Sequence, residues 1–318
     1  MNNLKKIGLT ALAGSLVATS VAYSGELAVS GSAGMNFKNY SDSSTGKAVR
    51  MGNSVFFKGS GETDGGLNVN LSFELDQGTP AGDGPFDSHF VSVGNDTLGT
   101  LTVHGHGGSN AAAALDTTAA GDLWDNTLIN TTATASTRMA PLASKSGDNL
   151  MVYSLPTLVD GLAVAGSYQA ANSTGSGSTA LGVTYSGIEG LSLSYGQGSS
   201  DDVKDIAGDQ TIMKASYAYG PITVAASNND FDHTTSTIDQ EVSSVSLSYT
   251  VSDQISVSYG EETIDRSGSA SDIEVNGVSI SYTSGGMTAS FAQVEAENVD
   301  HTAGLDKEVW NIGLSFAF

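Results

Sequence analysis

Along most of this chain, apolar and small polar residues alternate one for one. Val245, Leu247 and Tyr249 alternate with Ser246, Ser248 and Thr250, and Val278, Ile280 and Tyr282 alternate with Ser279 and Ser281. The same rhythm runs through Ile255–Tyr259 and Leu191–Tyr195. A period of two is the mark of a β-strand with one apolar face and one small polar face. Sixteen such segments are predicted, near residues 26–37, 49–60, 67–75, 88–94, 99–106, 148–155, 161–170, 178–186, 190–198, 211–219, 221–229, 240–250, 254–262, 273–283, 286–295 and 308–318.

Alternation alone fits two architectures. A β-sandwich turns its apolar face inward, whereas a membrane barrel turns it outward to lipid. The connections separate them. Short turns (95–98, 187–189, 220–221, 251–253, 284–285) alternate with long linkers (39–48, 77–87, 107–147, 199–210, 230–239, 263–272, 296–307). Short turns at one rim and long loops at the other are the rule for outer-membrane barrels, and strands of about 9–11 residues suit a tilted crossing. The expected fold is all-β: a 16-stranded antiparallel transmembrane barrel. Tyrosines fit it. With the termini at the short-turn rim, Tyr168, Tyr195 and Tyr259 fall at outer strand ends, and Tyr185, Tyr219, Tyr249 and Tyr282 at inner ends. Two such girdles match the headgroup levels, although Tyr is also simply a common strand residue.

One stretch breaks the rhythm. Residues 107–147 carry no alternation, and a loop of this length is usually functional or disordered. Ala111–Leu115 can form a helical turn or two, Asp116, Asp122 and Asp125 surround Trp124, and Arg138 and Lys145 close the segment. The expectation is a constriction loop folded into the lumen; the alternative is a surface excursion.

The start of the chain reads as an address. Lys5 and Lys6 precede an apolar run, Ile7 to Val21, and the small residues Ala22 and Ser24 follow. This is the pattern of a secretory signal peptide, with cleavage expected after Ser24, or else after Ala22, leaving 25–318 as one barrel domain. No stretch reaches the ~18 apolar residues of a spanning helix.

Charge narrows the function. The 318 residues hold 12 basic and 34 acidic side chains, a net of −22, and no Cys. Residues 1–24 contain two Lys and no acid, so the remainder has 10 basic and 34 acidic groups, a net of −24. Phosphate-directed nucleic-acid binding is excluded by that balance, as are disulfides and thiolate sites by the missing Cys. Cations should be attracted.

The last strand is the clearest. Trp310, Ile312, Leu314, Phe316 and Phe318 alternate with Asn311, Gly313, Ser315 and Ala317, and the chain ends on Phe318. Here the sequence resembles the Gram-negative general porins, most closely those of alphaproteobacteria. Gly99–Val103 resembles the family strand leading into the constriction loop, and Asn149, Tyr153, Pro156, Gly161 and Leu162 resemble the segment after it. The resemblance implies a homotrimer in the outer membrane, in contact with lipid and lipopolysaccharide, passing ions and small hydrophilic solutes. It also implies that Phe318 is the signal read by the barrel-assembly machinery. Outward small or apolar residues Ala33, Val69, Leu71 and Val103 add weak support for the trimer. Two departures stand out. Family members often carry Arg near the end of the first motif, where this chain has His104-Gly105-His106, and the loop lacks the Pro-Glu-Phe motif of some enterobacterial members.

No catalytic constellation is visible, and the Gly-rich piece 105–108 lacks the Lys and the strand-to-helix setting of a phosphate loop. The expectation is a channel, not an enzyme. The pore-lining set is Asp116, Asp122 and Asp125 from the loop, Arg50 and Lys58 from the second strand, and Arg138 and Lys145 from the loop's return. Opposed charges across a narrow gap would sort solutes by sign, giving moderate cation selectivity; the bland reading is solvated side chains. His104 and His106 share a face and suit either a polar wall or a transition metal. No cofactor is expected, except that acid clusters in the outer loops (Asp201, Asp202, Asp205 and Asp209; Asp230 and Asp232; Glu261, Glu262 and Asp265; Glu295, Glu297 and Asp300) suit Ca²⁺ or act as a repelling rim. The other functions left open are a nutrient-specific channel and a secreted β-rich surface or adhesive protein.

Overall fold

A computed structural model describes residues 25–41, 47–76, 86–123, 147–171, 177–200, 207–234 and 239–318. Sixteen strands run through them: β1 (Glu26–Tyr40), β2 (Lys47–Glu62), β3 (Asn68–Asp76), β4 (Ser88–Asn95), β5 (Gly99–His106), β6 (Leu150–Ser154), β7 (Leu162–Gln169), β8 (Ser178–Tyr185), β9 (Leu191–Ser200), β10 (Gly208–Tyr219), β11 (Ile222–His233), β12 (Gln240–Thr250), β13 (Ile255–Arg266), β14 (Ile273–Ser284), β15 (Met287–Glu297) and β16 (Lys307–Ala317). Each pairs antiparallel with its sequence neighbours, and β16 pairs with β1 to close the barrel. Closure leaves no sheet edge, which a bilayer does not tolerate.

The register sorts the two faces. Leu247 lies beside Tyr259, which lies beside Val278, and Val257 beside Ile280. These residues face outward, while Ser258 and Ser279 share a hydrogen bond on the lumenal side. Val49 is 79% exposed, Met51 62% and Met213 57%. An apolar belt of this extent around the whole circumference would be a large exposed patch in water; in a bilayer it is the lipid contact. The sandwich alternative fails on closure, and the alternation therefore reads as apolar outside, polar inside.

The outer rim differs from expectation. Several strands run past the membrane edge, so segments read as long loops are strand. β11 extends to His233, β13 to Arg266 and β15 to Glu297. Asp209, Asp230, Asp232, Glu261, Glu262, Asp265, Glu295 and Glu297 consequently lie on strands, and only Asp300 of the described cluster acids sits in a loop. Tyr195 and Tyr259 are mid-strand rather than terminal. They still mark the upper limit of the apolar belt: on β13 the outward positions beyond Tyr259 are Glu261, Thr263 and Asp265. Backbone pairing continues into the aqueous collar because ladder hydrogen bonds are indifferent to which solvent the side chains meet.

Near this rim the inner wall carries an apolar cluster of Tyr40, Val242, Ile264, Ile273, Val275, Val294, Ala296, Val299 and Val309. Val299 belongs to the β15–β16 connection, which is folded inward and held by a hydrogen bond from Asn298 Nδ2 to the Asp272 carbonyl (3.1 Å). At the opposite rim Phe318 completes the seam. Gly31 N donates to Phe318 O (2.7 Å) and Phe318 N to Gly31 O (2.9 Å).

Candidate functional site: the inturned loop and the pore wall

The loop leaves β5 through Gly107, at φ +70°. A left-handed residue is needed there to turn the chain off the wall, and glycine takes that conformation without strain. The two ends of the loop are tied together. Gly108 N donates to Gly147 O (3.3 Å), and His106 Nδ1 lies 2.6 Å from Asp148 Oδ1. Gln169 of β7 donates to the Asp148 carbonyl (2.8 Å).

From this root the loop crosses the inside of the barrel. Asn110 caps its first turn, accepting from Ala112 N (3.0 Å) and Ala113 N (2.7 Å), and the single 3₁₀ turn Ala113–Leu115 follows. The backbone is then stitched to successive strands. Ala111 N donates to Ser167 Oγ of β7 (2.9 Å), and Lys214 Nζ of β10 donates to Thr117 O (2.7 Å). Asn229 of β11 donates to the Asp116 carbonyl. Ala119 N donates to Ser227 Oγ (2.8 Å), Ala120 N to Ser244 Oγ (2.9 Å), and Ser246 Oγ to Ala119 O (2.7 Å). Thr118 donates its hydroxyl to the carboxylate of Glu262 on β13, and both side chains are buried.

This close approach depends on small wall residues. A Cβ at Gly182 would collide with the Ala111 carbonyl; at Gly196 it would stand 3.2 Å from Ala112 Cα; at Gly260, 2.6 Å from Ala120 Cβ; at Gly277, 2.8 Å from Leu123 Cδ2. The glycines cut a groove into the wall from β8 to β14, and the alanines of the loop lie in it. The lumenal reading of the described part, residues 107–123, therefore replaces the surface-excursion alternative.

Asp116 and Asp122 come together beside Lys214. Burial first and the neighbouring Asp122 second push the Asp116 carboxyl up to about 6, with Lys214 opposing. Asp122, at φ +57°, ties the turn: its Oδ1 accepts from Thr118 N (2.9 Å) and its N donates to Thr118 Oγ1 (2.8 Å). Asp125, Arg138 and Lys145 lie outside the described residues, as do Trp124, Asp201, Asp202, Asp205 and residues 1–24.

Facing this arrangement, the wall of β1–β5 carries no docked loop backbone among the described residues. Arg50 and Lys58 share the lumenal face of β2, opposite in parity to Val49, Met51 and Phe57, and Lys58 Nζ lies 5.3 Å from the Phe56 ring centroid. The lumenal parity of β3 adds Glu74 and Asp76, paired with Phe56 and Ser54. His104 packs its ring on Phe90 (5.5 Å). Gly105 is the extra residue of a β-bulge between His104 and His106, which sends the two histidines to different partners. Among the described residues no group of three or more His, Cys, Asp or Glu is placed to hold a metal ion.

Sequence reading missed Lys214, Glu262 as a lumenal group, Asn229, Glu74 and Asp76. Parity was the available signal: each stands on the small, polar face of its strand, where Ser and Gly otherwise dominate.

A closed sixteen-stranded barrel with an apolar exterior and a loop laid along its inner wall defines a membrane channel protein. The family model for Gram-negative porins matches residues 8–302, and the chain belongs to that family. The fold is that of solved porins. The anion-selective porin from Comamonas acidovorans superimposes with a TM-score of 0.68 at 15% identity, covering 93% of this chain and all of that one. OmpT, an outer-membrane protein of Vibrio cholerae, gives 0.68 at 15% identity over 96% of this chain and all of its own. A porin variant from Rh. blastica gives 0.66 at 15% identity over 92% and 100%. No curated protein sequence matches. The protein is an outer-membrane porin.

Proposed function

We propose that the barrel is a general diffusion pore for ions and small hydrophilic solutes, moderately cation-selective. The observation that supports the channel is the loop lying along one half of the inner wall while the wall of β1–β5 carries no loop backbone among the described residues. The selectivity follows from charge. Asp116, Asp122, Glu74 and Asp76 are balanced in part by Arg50, Lys58 and Lys214, so the preference is moderate rather than strong. The negative collar at the outer rim raises the local cation concentration, within the ~8 Å that charges reach at physiological ionic strength. The fold likeness to an anion-selective porin does not bear on this, because ion preference resides in side chains that 15% identity does not carry over.

The chain is read as exported with residues 1–24 as a leader and as assembling into a homotrimer through the outward faces of β1–β5. There Ala33, Val69, Leu71 and Val103 stand on the outward parity. The deciding measurement is the zero-current potential across a planar bilayer under a salt gradient. The native channel should give the sign of a cation preference, and Asp116→Asn with Asp122→Asn should move it toward the anion side, more in dilute than in concentrated salt. An unchanged potential in dilute salt overturns the role given to these carboxylates. A single monomeric species in mild detergent overturns the trimer.

A further inference from the structure

Opposite the docked loop, at the β16–β1–β2 seam, the inner wall has a recess of about 430 Å³. Its floor follows from register. Gly34 of β1 pairs with Gly52 of β2, and Gly313 of β16 pairs with Asn36 of β1, so three lumenal positions in adjoining strands lack side chains. A Cβ built on Gly52 meets nothing within 4 Å, and one on Gly34 nothing nearer than 3.6 Å. Unlike the groove glycines under the loop, these two are not needed for packing.

The rim of the recess is hydroxyl and amide: Ser32, Ser54, Ser315, Asn36 and Asn311, with Asp76 as the one carboxylate. The Oδ1 atoms of Asn36 and Asn311 are shielded from solvent and have no hydrogen-bond partner among the described residues. Buried polar atoms are rarely left unmatched, and each such atom asks for a reason. Asn36 and Asn311 both line the hollow, and a turn of either carboxamide toward it would bring its unmatched oxygen to an incoming donor.

We propose that this recess is a binding subsite for a neutral polyhydroxylated solute of mono- to disaccharide size, which makes the pore weakly saturable for sugars. The inference rests on the channel reading above. The chemistry selects the class. Serine hydroxyls and carboxamides both donate and accept, as sugar hydroxyls do, whereas an ion needs full opposite charge. Asp76 supplies a further acceptor, the role a carboxylate plays toward adjacent hydroxyls. The volume lies within the range of small-molecule sites, about 300–1,000 Å³. The recess is open to the lumen, and Ala33, Met35 and Leu314 of its lining stand on the outward parity, so polar groups alone face the solute, binding is weak and exchange fast, as a conducting pathway requires.

The test is titration of single-channel ion current with glucose and with maltose, using lysine and triethylene glycol as comparison solutes. The expected result is a saturable reduction of current by the sugars, beyond that caused by triethylene glycol of similar bulk. Asn36→Leu with Asn311→Leu should raise the half-blocking concentration at least tenfold. Gly52→Leu, which fills the hollow where no atom is in the way, should do the same should the double variant not assemble. Ser258→Ala, on the lumenal face of β13 outside the recess, should leave the titration as in the native protein. Sugar block that persists in both recess variants overturns the proposal. So does block by lysine but not by sugars, or a reduction no greater than with triethylene glycol. In those outcomes ion conduction is intact and the channel reading stands; absence of any conductance in the assembled native protein overturns the channel reading itself.

Discussion

The Thr118–Glu262 contact fastens the middle of the loop to the wall, and removing it tests whether the loop is held as described. In Thr118→Val the shape is nearly kept, but two hydrogen bonds go: the hydroxyl donation to the Glu262 carboxylate and the acceptance from Asp122 N at 2.8 Å. Glu262 is 2% exposed and Thr118 4%, so water does not take over at either end. A hydrogen bond to a charged group contributes about 1.5–3 kcal/mol and a neutral one about 1. The docked segment should lose roughly 3 kcal/mol, about a hundredfold in the ratio of docked to detached loop. Hydrogen exchange at the Ala119 and Ala120 amides reads this ratio, because both donate to wall serines only when the loop is seated. Protection should fall about a hundredfold in Thr118→Val. It should fall about tenfold in Glu262→Gln, where an amide oxygen still accepts. The paired variant Thr118→Val, Glu262→Leu should recover most of the loss, since replacing both partners by apolar groups of like shape is close to neutral. Protection within threefold of native in Thr118→Val refutes the latch.

Three further outcomes follow from the same geometry. Gly260→Val and Gly277→Val, by placing atoms where Ala120 and Leu123 now lie within 2.6 and 2.8 Å of a built Cβ, should push the loop toward the lumen and lower single-channel conductance, and native conductance in both would deny the groove. Asp116 is raised from 3.8 to about 6, so it binds its proton more tightly in the folded protein; lowering the pH from 7.5 through 6 should weaken cation preference and stabilise loop docking, both effects vanishing in Asp116→Asn, with bilayer potentials across pH as the check. Deleting Phe318 removes a ring that stands 2.8 Å from a Cβ built on Gly31 together with the two backbone bonds to Gly31; the yield of heat-modifiable barrel on electrophoresis should drop several-fold, and equal yields would count against an assembly role.

The strands were legible because each repeats one physical constraint many times: lipid on one side, water on the other. Val245, Leu247 and Tyr249 announce β12 without help from any other strand. Strand ends were less legible, since β13 keeps pairing to Arg266 after the apolar belt has stopped at Tyr259, and only the belt leaves a periodic trace. The loop was legible as an interruption, yet its seat was not. That seat is made of Gly182, Gly260 and Gly277 on three distant strands, and the absence of a side chain carries no pattern until neighbouring registers are known. Glu262 shows the limit most sharply. In sequence it belongs to an acid cluster with Glu261 and Asp265; in the barrel its parity places it inside, buried against Thr118, while Glu261 faces out and accepts from Tyr259 (2.6 Å).

That parity also decides what the net charge means. Asp230 lies beside Glu241, Glu241 beside Asp265, Glu274 beside Glu297 and Glu295 beside Glu308, all on outward positions above the apolar belt. Like charges directly opposed across strands are unfavourable, and in the aqueous collar their repulsion is softened by screening. A large share of the negative charge therefore surrounds the barrel instead of lining it. Inside, Arg50 and Lys58 of β2 share the lumenal face with Glu74 and Asp76 of the neighbouring β3, and Lys214 lies beside Asp116 and Asp122. A solute entering the lumen meets short-range fields of both signs, whereas a solute approaching the mouth meets one sign only. Under the proposed selectivity, net charge sets the concentration of ions at the entrance, and the side chains that parity turns inward on β2, β3 and β10 set which of them pass.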